Sequence, residues 1–171
     1  MSRATALPGQ VAVGLAASWV KELSEPRLQS VVERLLPPTP EQKLDVGADP
    51  AGHPENMPPA VLVDRTVRAL GHRGLSAAQR VRVQRVIHYS TGSGLGVAYG
   101  AAVRRWPLAR SGRGALAGFA IYAGSHGSLL AALRVQRPPW RLAPAAVIWE
   151  LASHLVFGIA LEAGRCTLGE R

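Results

Sequence analysis

Residues 114–135 read GALAGFAIYAGSHGSLLAALRV and carry one fixed charge, Arg134, close to the far end. A bilayer core of about 30 Å takes about 20 helical residues, so this stretch is long enough to cross one. Two comparable stretches flank it. Residues 86–103, VIHYSTGSGLGVAYGAAV, hold no fixed charge and stop at Arg104 and Arg105, while residues 142–164 hold only the acids Glu150 and Glu162. A fourth, weaker stretch covers residues 4–21 and is interrupted by Pro8 and Gln10. The pattern predicts an all-α protein, a four-helix transmembrane bundle forming one integral-membrane domain over residues 1–171. A rival reading of the first stretch is a cleaved signal peptide, with Arg3 as its basic start and LAAS as the cleavage site.

Between the first two stretches, residues 22–85 form a Pro-rich polar loop. It holds most of the acids and two breaker clusters, Pro37-Pro38-Thr39-Pro40 and residues 53–59, HPENMPP. Leu28, Val31, Val32, Leu35 and Leu36 follow helical spacing, and residues 60–70 form a second short amphipathic piece in which Asp64 and Arg68 can pair at i, i+4. These pieces either lie on a membrane surface or pack as ordinary helices. Ser76 and Gln79 make a capping-box signature that starts the second long helix.

The chain has 171 residues, net charge +9 and a mean hydropathy of +0.08, with 20 basic residues of which only Lys21 and Lys43 are lysine. The arginines gather at the ends of the apolar stretches. Arg80, Arg82, Arg85, Arg104 and Arg105 are therefore expected at lipid phosphates, and the partner is expected to be a bilayer with anionic headgroups. The competing class is a soluble basic helical protein gripping nucleic-acid phosphates; nothing aromatic is interleaved with the arginines, which makes nucleic acid the weaker partner. Trp19, Trp106 and Trp140 fall at or beside span ends, where an aromatic belt would place them. An even number of spans puts both termini on one side, read as the cytoplasm, although arginine counts on the two sides of the spans nearly tie. The single cysteine, Cys166, excludes an internal disulfide and a cysteine-based zinc cluster; it is either acylated or an idle thiol.

Small residues give the helices a way to pack in lipid. Gly92, Gly96 and Gly100 stand at four-residue spacing, Ser90, Gly94, Ala98 and Ala102 form a neighbouring row, and Gly118, Gly124 and Gly158 add contact positions on the later spans. In a soluble helix each glycine would cost about 1 kcal/mol relative to alanine, whereas close packing in a membrane gives them a use.

The ionisable residues inside the spans are the candidates for chemistry, since such groups are costly there. His88, His126, Glu150 and His154 each stand on the small-residue face of their helix, and Glu150 and His154 share a face at i, i+4. Together with Tyr99 they make a polar core that could relay protons, since histidine titrates near neutral pH, or simply hold the bundle together by hydrogen bonds. His126, Glu150 and His154 are also candidate ligands for a metal such as zinc or iron, or for haem. No cofactor is required by the sequence. Gly92-Ser93-Gly94-Leu95-Gly96 follows no strand and lacks Gly-Lys-Ser/Thr, and no Gly-x-Ser-x-Gly occurs, so the sequence leans away from an enzyme. Homo-oligomers or other membrane subunits are the expected protein partners.

The order GLAASWVK, a Pro-Pro element, ENMPP, a span with His88 and GVAYG, a central His126 and WELASHLVFG resembles the YagU-like family of bacterial inner-membrane proteins of unknown function, over residues 11–162. Lys21, Pro37, Pro38, Pro58, Pro59, His88, Tyr99, His126, Glu150 and His154 match its pattern. The resemblance implies a multi-pass protein of the bacterial inner membrane and a link to acid resistance.

Overall fold

A computed structural model describes residues 3–169, with side chains from residue 7 onward. Among these residues the regular structure is helical, with no strand. The chain runs through α1 (Arg3–Leu35), α2 (Pro40–Val46), α3 (Pro58–Ala69), α4 (Ala77–Arg105), α5 (Ala115–Gly124), α6 (Leu130–Ala132) and α7 (Pro144–Thr167). Two stretches are long and apolar enough to cross a membrane, Pro107–Ala132 and Pro144–Thr167. The stretches at residues 4–21 and 86–103 are less apolar, because Gln10 and Lys21 dilute the first and His88 with Ser90, Thr91 and Ser93 the second.

The expected break at Lys21 is absent: the first stretch and the piece at residues 28–36 are one helix, α1. Pro26 removes a hydrogen bond from its interior, a cost of about 3 kcal/mol. Tertiary burial outweighs it, with Gln29 buried and Leu28 and Val32 packed on Val46, Ala146 and Trp149. The loop also holds a helix that the prolines concealed. Thr39 caps α2 with a capping box, its hydroxyl accepting from the Gln42 amide while the Gln42 side chain accepts from the Thr39 amide, and Pro40 sits at the first helical position, where its missing N–H costs nothing. Ser76 and Gln79 make the same reciprocal bonds at the start of α4, as their spacing predicts. The third stretch ends earlier than residues 114–135, and its regular α-helix begins at Ala115. Ser111, Gly112 and Arg113 leave helical geometry before α5, and the helix stops at Ala132, with Arg134 at a left-handed φ of 52°.

The chain divides into two compact units. The first comprises Met1–Ser24, His88–Tyr122 and Leu151–Arg171, the second Glu25–Ile87 and Ala123–Glu150. The core of the first is Val13, Ala17, Tyr99, Val103, Phe157 and Leu161. Glycines bring its backbones together: a Cβ on Gly92 would strike the Ser18 hydroxyl, one on Gly96 the Gln10 carbonyl, and one on Gly100 the Gln10 side chain. Gly118 and Gly158 lie likewise against the backbone at His154 and Gly114. Gly14, which the sequence reading passed over, meets the Gly92 carbonyl. In the second unit Val46, Ala48, Ala146 and Trp149 form the core. Gly124, expected at a helix contact, faces open space: no atom lies within contact of a Cβ built there, at the end of α5.

Candidate functional site

The helix that begins at Ala115 changes its winding at Ser125–Leu129 to a single π turn, which sets His126 at an irregular point of the chain. Such turns recur at functional sites because they re-aim a side chain at the expense of regular hydrogen bonding. Past α6 the chain reverses through Arg134 and carries Gln136 inward, where it is buried. Glu150 comes from α7 and is 1% exposed.

These three side chains meet in the second unit. Gln136 Nε2 donates to Glu150 Oε1, His126 Nδ1 lies 2.7 Å from Gln136 Oε1, and the same nitrogen is 3.2 Å from Glu150 Oε2. The donors and acceptors are mutually determined. A carboxylate accepts, so the amide must turn its nitrogen towards Glu150; its oxygen then faces His126, and Nδ1 must be the protonated ring nitrogen. The cluster thus holds the imidazole in one tautomer, beside a carboxylate whose charge would pair with the ring if the ring gained a proton.

The five residues expected to form one polar core are divided between the units. His126 and Glu150 come together in the second, while His88, Tyr99 and His154 belong to the first. Within the first, His88 Nε2 donates to the Ser18 carbonyl at 2.9 Å, and the ring of His154 stands edge-on to Tyr122 with centroids 5.7 Å apart. The Tyr99 hydroxyl donates to Glu162 Oε2 at 2.8 Å, and Glu162 is gripped by Arg165 through two bonds of 2.7 Å. Glu162 and Arg165 are both buried. Cys166 is exposed, with its sulfur 3.7 Å from Glu162 Oε1. Among the described residues no group of three His, Cys, Asp or Glu side chains is placed to hold a metal ion. His126 and Glu150 lie in the second unit and His154 in the first: the i, i+4 rule aligns Glu150 and His154 on α7 but leaves open which neighbours each will meet.

Sequence reasoning missed Gln136. It lies in the arginine-rich connection RVQRPP, and its one distinguishing mark there is an uncharged amide between Arg134 and Arg137. The arginines assigned to lipid phosphate are placed as follows. Arg82, Arg85, Arg104 and Arg105 are exposed, the last two at the α4 C-terminus, where the helix dipole favours cations. Arg80 is half-buried and donates to the Leu75 carbonyl, so its guanidinium is partly spent inside the protein.

Asp64 anchors the join between α3 and α4. It accepts from Arg68 Nε at 2.9 Å and from the Leu75 amide at 2.5 Å, and these bonds, with the Arg68 contact the larger cause, hold its carboxyl below the usual aspartate range. A lowered carboxyl stabilises the fold fully above its unfolded-state range and loses that contribution as pH falls below about 4. Asp64→Asn should therefore destabilise the protein at pH 7 while flattening the loss of stability between pH 5 and 3. Denaturant titrations at stepped pH check this, and parallel wild-type and variant curves would contradict it.

A family model described as Protein of unknown function (DUF1440) matches residues 28–163. No curated protein and no solved structure matches the chain.

Proposed function

The chain belongs to the Protein of unknown function (DUF1440) family, and from that premise we propose that it is a four-span protein of the bacterial inner membrane, of the YagU-like kind, in which His126, Gln136 and Glu150 sense protons. The observation that carries the membrane reading is the outward face of the third span. Only 11% of its most apolar window is buried inside the protein, and Leu116, Phe119, Leu129 and Leu133 are all exposed. In water a face of this kind would be a large apolar patch; in lipid it is the expected surface. Trp19, Trp106 and Trp140 are exposed as well, which suits an interfacial belt, whereas Trp149 is buried in a core. Residues 4–21 and 86–103 supply the other two spans, their small and polar residues turned towards one another.

The sensing element is the imidazole in contact with a buried carboxylate. Protonating His126 turns a buried carboxylate beside a neutral imidazole into an ion pair, a change large enough to bias a helix bundle or its contact with another membrane subunit. Arg82, Arg85, Arg104 and Arg105 meet anionic headgroups in this reading.

Two experiments test it. Membrane fractions washed with carbonate and high salt should retain the protein until detergent is added; release by either wash overturns the four-span assignment and restores the soluble nucleic-acid-binding class. In detergent, the melting temperature of the wild type should vary between pH 5 and 8 in a way that His126→Ala does not reproduce. Coincident profiles would sink proton sensing and leave the cluster a structural one.

A further inference from the structure

The second unit contains an open groove of about 850 Å³, a volume in the range of small-molecule sites. Four cations line it, and two of them are already neutralised: Lys43 pairs with Glu33 at 2.6 Å and Arg137 with Asp45 at 2.8 Å. Asp49, also in the lining, is occupied in accepting from Gln29 and from the Gly52 amide. Arg65 and Arg134 are left over. Among the described residues neither has a carboxylate within ion-pair distance. Arg65 Nη1 instead donates to the Arg134 carbonyl at 2.8 Å, tying the guanidinium of one arginine to the backbone of the other across 69 residues of sequence.

That bond sets the Arg65 guanidinium against the Arg134 backbone, and both arginines line the groove with no described carboxylate at ion-pair distance, while Asp49 keeps its charge elsewhere in the lining. Arg134 also holds a left-handed φ of 52°, which for a non-glycine residue is a sparsely populated conformation. Strain of this kind persists where surrounding contacts fix it, and it concentrates at ligand sites. The rest of the lining is mixed: Leu44, Val61 and Val135 give it an apolar side, and Leu44 is 83% exposed. A ligand that suits both parts has a phosphate for the two guanidinium forks and an apolar portion beside it.

We propose that this groove binds an anionic phospholipid, with Arg65 and Arg134 holding its phosphate and Leu44, Val61 and Val135 lying along its apolar part. The site is separate from the arginines at the ends of α4. It relies on the membrane reading only for the source of the lipid, and the two fail separately: washing membranes asks whether the protein spans, whereas the test below measures binding by purified protein.

The test is a thermal-shift titration of the full-length protein in detergent micelles doped with phosphatidylglycerol, with phosphatidylcholine, or supplied with inorganic phosphate alone. Phosphatidylglycerol should raise the melting temperature saturably, and Arg65→Gln and Arg134→Gln should each weaken the apparent affinity about tenfold, as loss of a charge-assisted bond implies. Both side chains are exposed, so the variants should melt near wild type without lipid. The wild-type shift should also shrink as salt is raised, a measurement that needs no variant. An equal response to phosphatidylcholine, an undiminished response in the double variant or a salt-insensitive shift overturns the proposal. An equal shift from inorganic phosphate alone would assign the site to a free anion and overturn the lipid.

Discussion

Gly96→Val should be the most damaging single substitution in the first unit, costing roughly 3 kcal/mol, at the upper end of overpacking penalties. A Cβ at this position would meet the Gln10 carbonyl oxygen and lie 2.8 Å from the Gly14 backbone nitrogen and Cα. Backbone cannot rotate away as a side chain can, so α1 and α4 must separate, and the core of Val13, Ala17, Tyr99 and Val103 opens with them. The control is Gly94→Ala on the same helix: nothing lies within contact of a Cβ there, and exchanging glycine for alanine gains helix propensity of about 1 kcal/mol. Unfolding by denaturant in detergent should separate the two variants by several kcal/mol in opposite directions. Equal stabilities would show that the approach of α1 to α4 is not what these glycines serve.

The contrast between Gly96 and Gly94 shows which part of the molecule was legible in advance. Four-residue spacing identifies a face, and Gly92, Gly96 and Gly100 share one; the same rule picks out Ser90, Gly94 and Ala98, and spacing alone does not say which row meets a partner helix. The capping box at Ser76 was readable because all its determinants lie within four residues. The continuation of α1 through Pro26 was not, since local propensity opposes it and contacts from distant residues, such as Trp149, override that propensity. The candidate site divides on the same line. His126 and Glu150 stood out as ionisable groups in apolar stretches, a one-residue signal, but their meeting depends on a π turn and on a chain reversal at a non-glycine residue. Neither device has a sequence signature here. For the same reason His88 and His154, equally conspicuous in the sequence, take separate partners in the Ser18 carbonyl and the Tyr122 ring.

Gln136→Leu should destabilise the protein by about 2–3 kcal/mol, although it replaces one side chain by another of similar size. The amide is the bridge of the cluster: its nitrogen supplies Glu150 with a donor and its oxygen accepts from His126. Leucine removes both functions at once and takes one donor from a carboxylate that is 1% exposed and keeps His126 beside it. The larger part of the cost is this deprived carboxylate, not the lost bond itself, because a buried charge that loses a donor recovers less of its desolvation penalty. The double variant Gln136→Leu/Glu150→Leu should then be more stable than Gln136→Leu alone, since it removes the buried charge that lost its amide donor. Denaturation of the wild type, both single variants and the double variant closes the thermodynamic cycle. A Gln136→Leu effect below about 0.5 kcal/mol, the level of ordinary surface substitutions, would mean that water or another donor already satisfies Glu150 and that the amide positions nothing. Restoration in the double variant would instead identify the carboxylate as the residue the fold must keep satisfied. If that carboxylate is retained at a cost to stability, proton sensing with His126 gives a reason for retaining it.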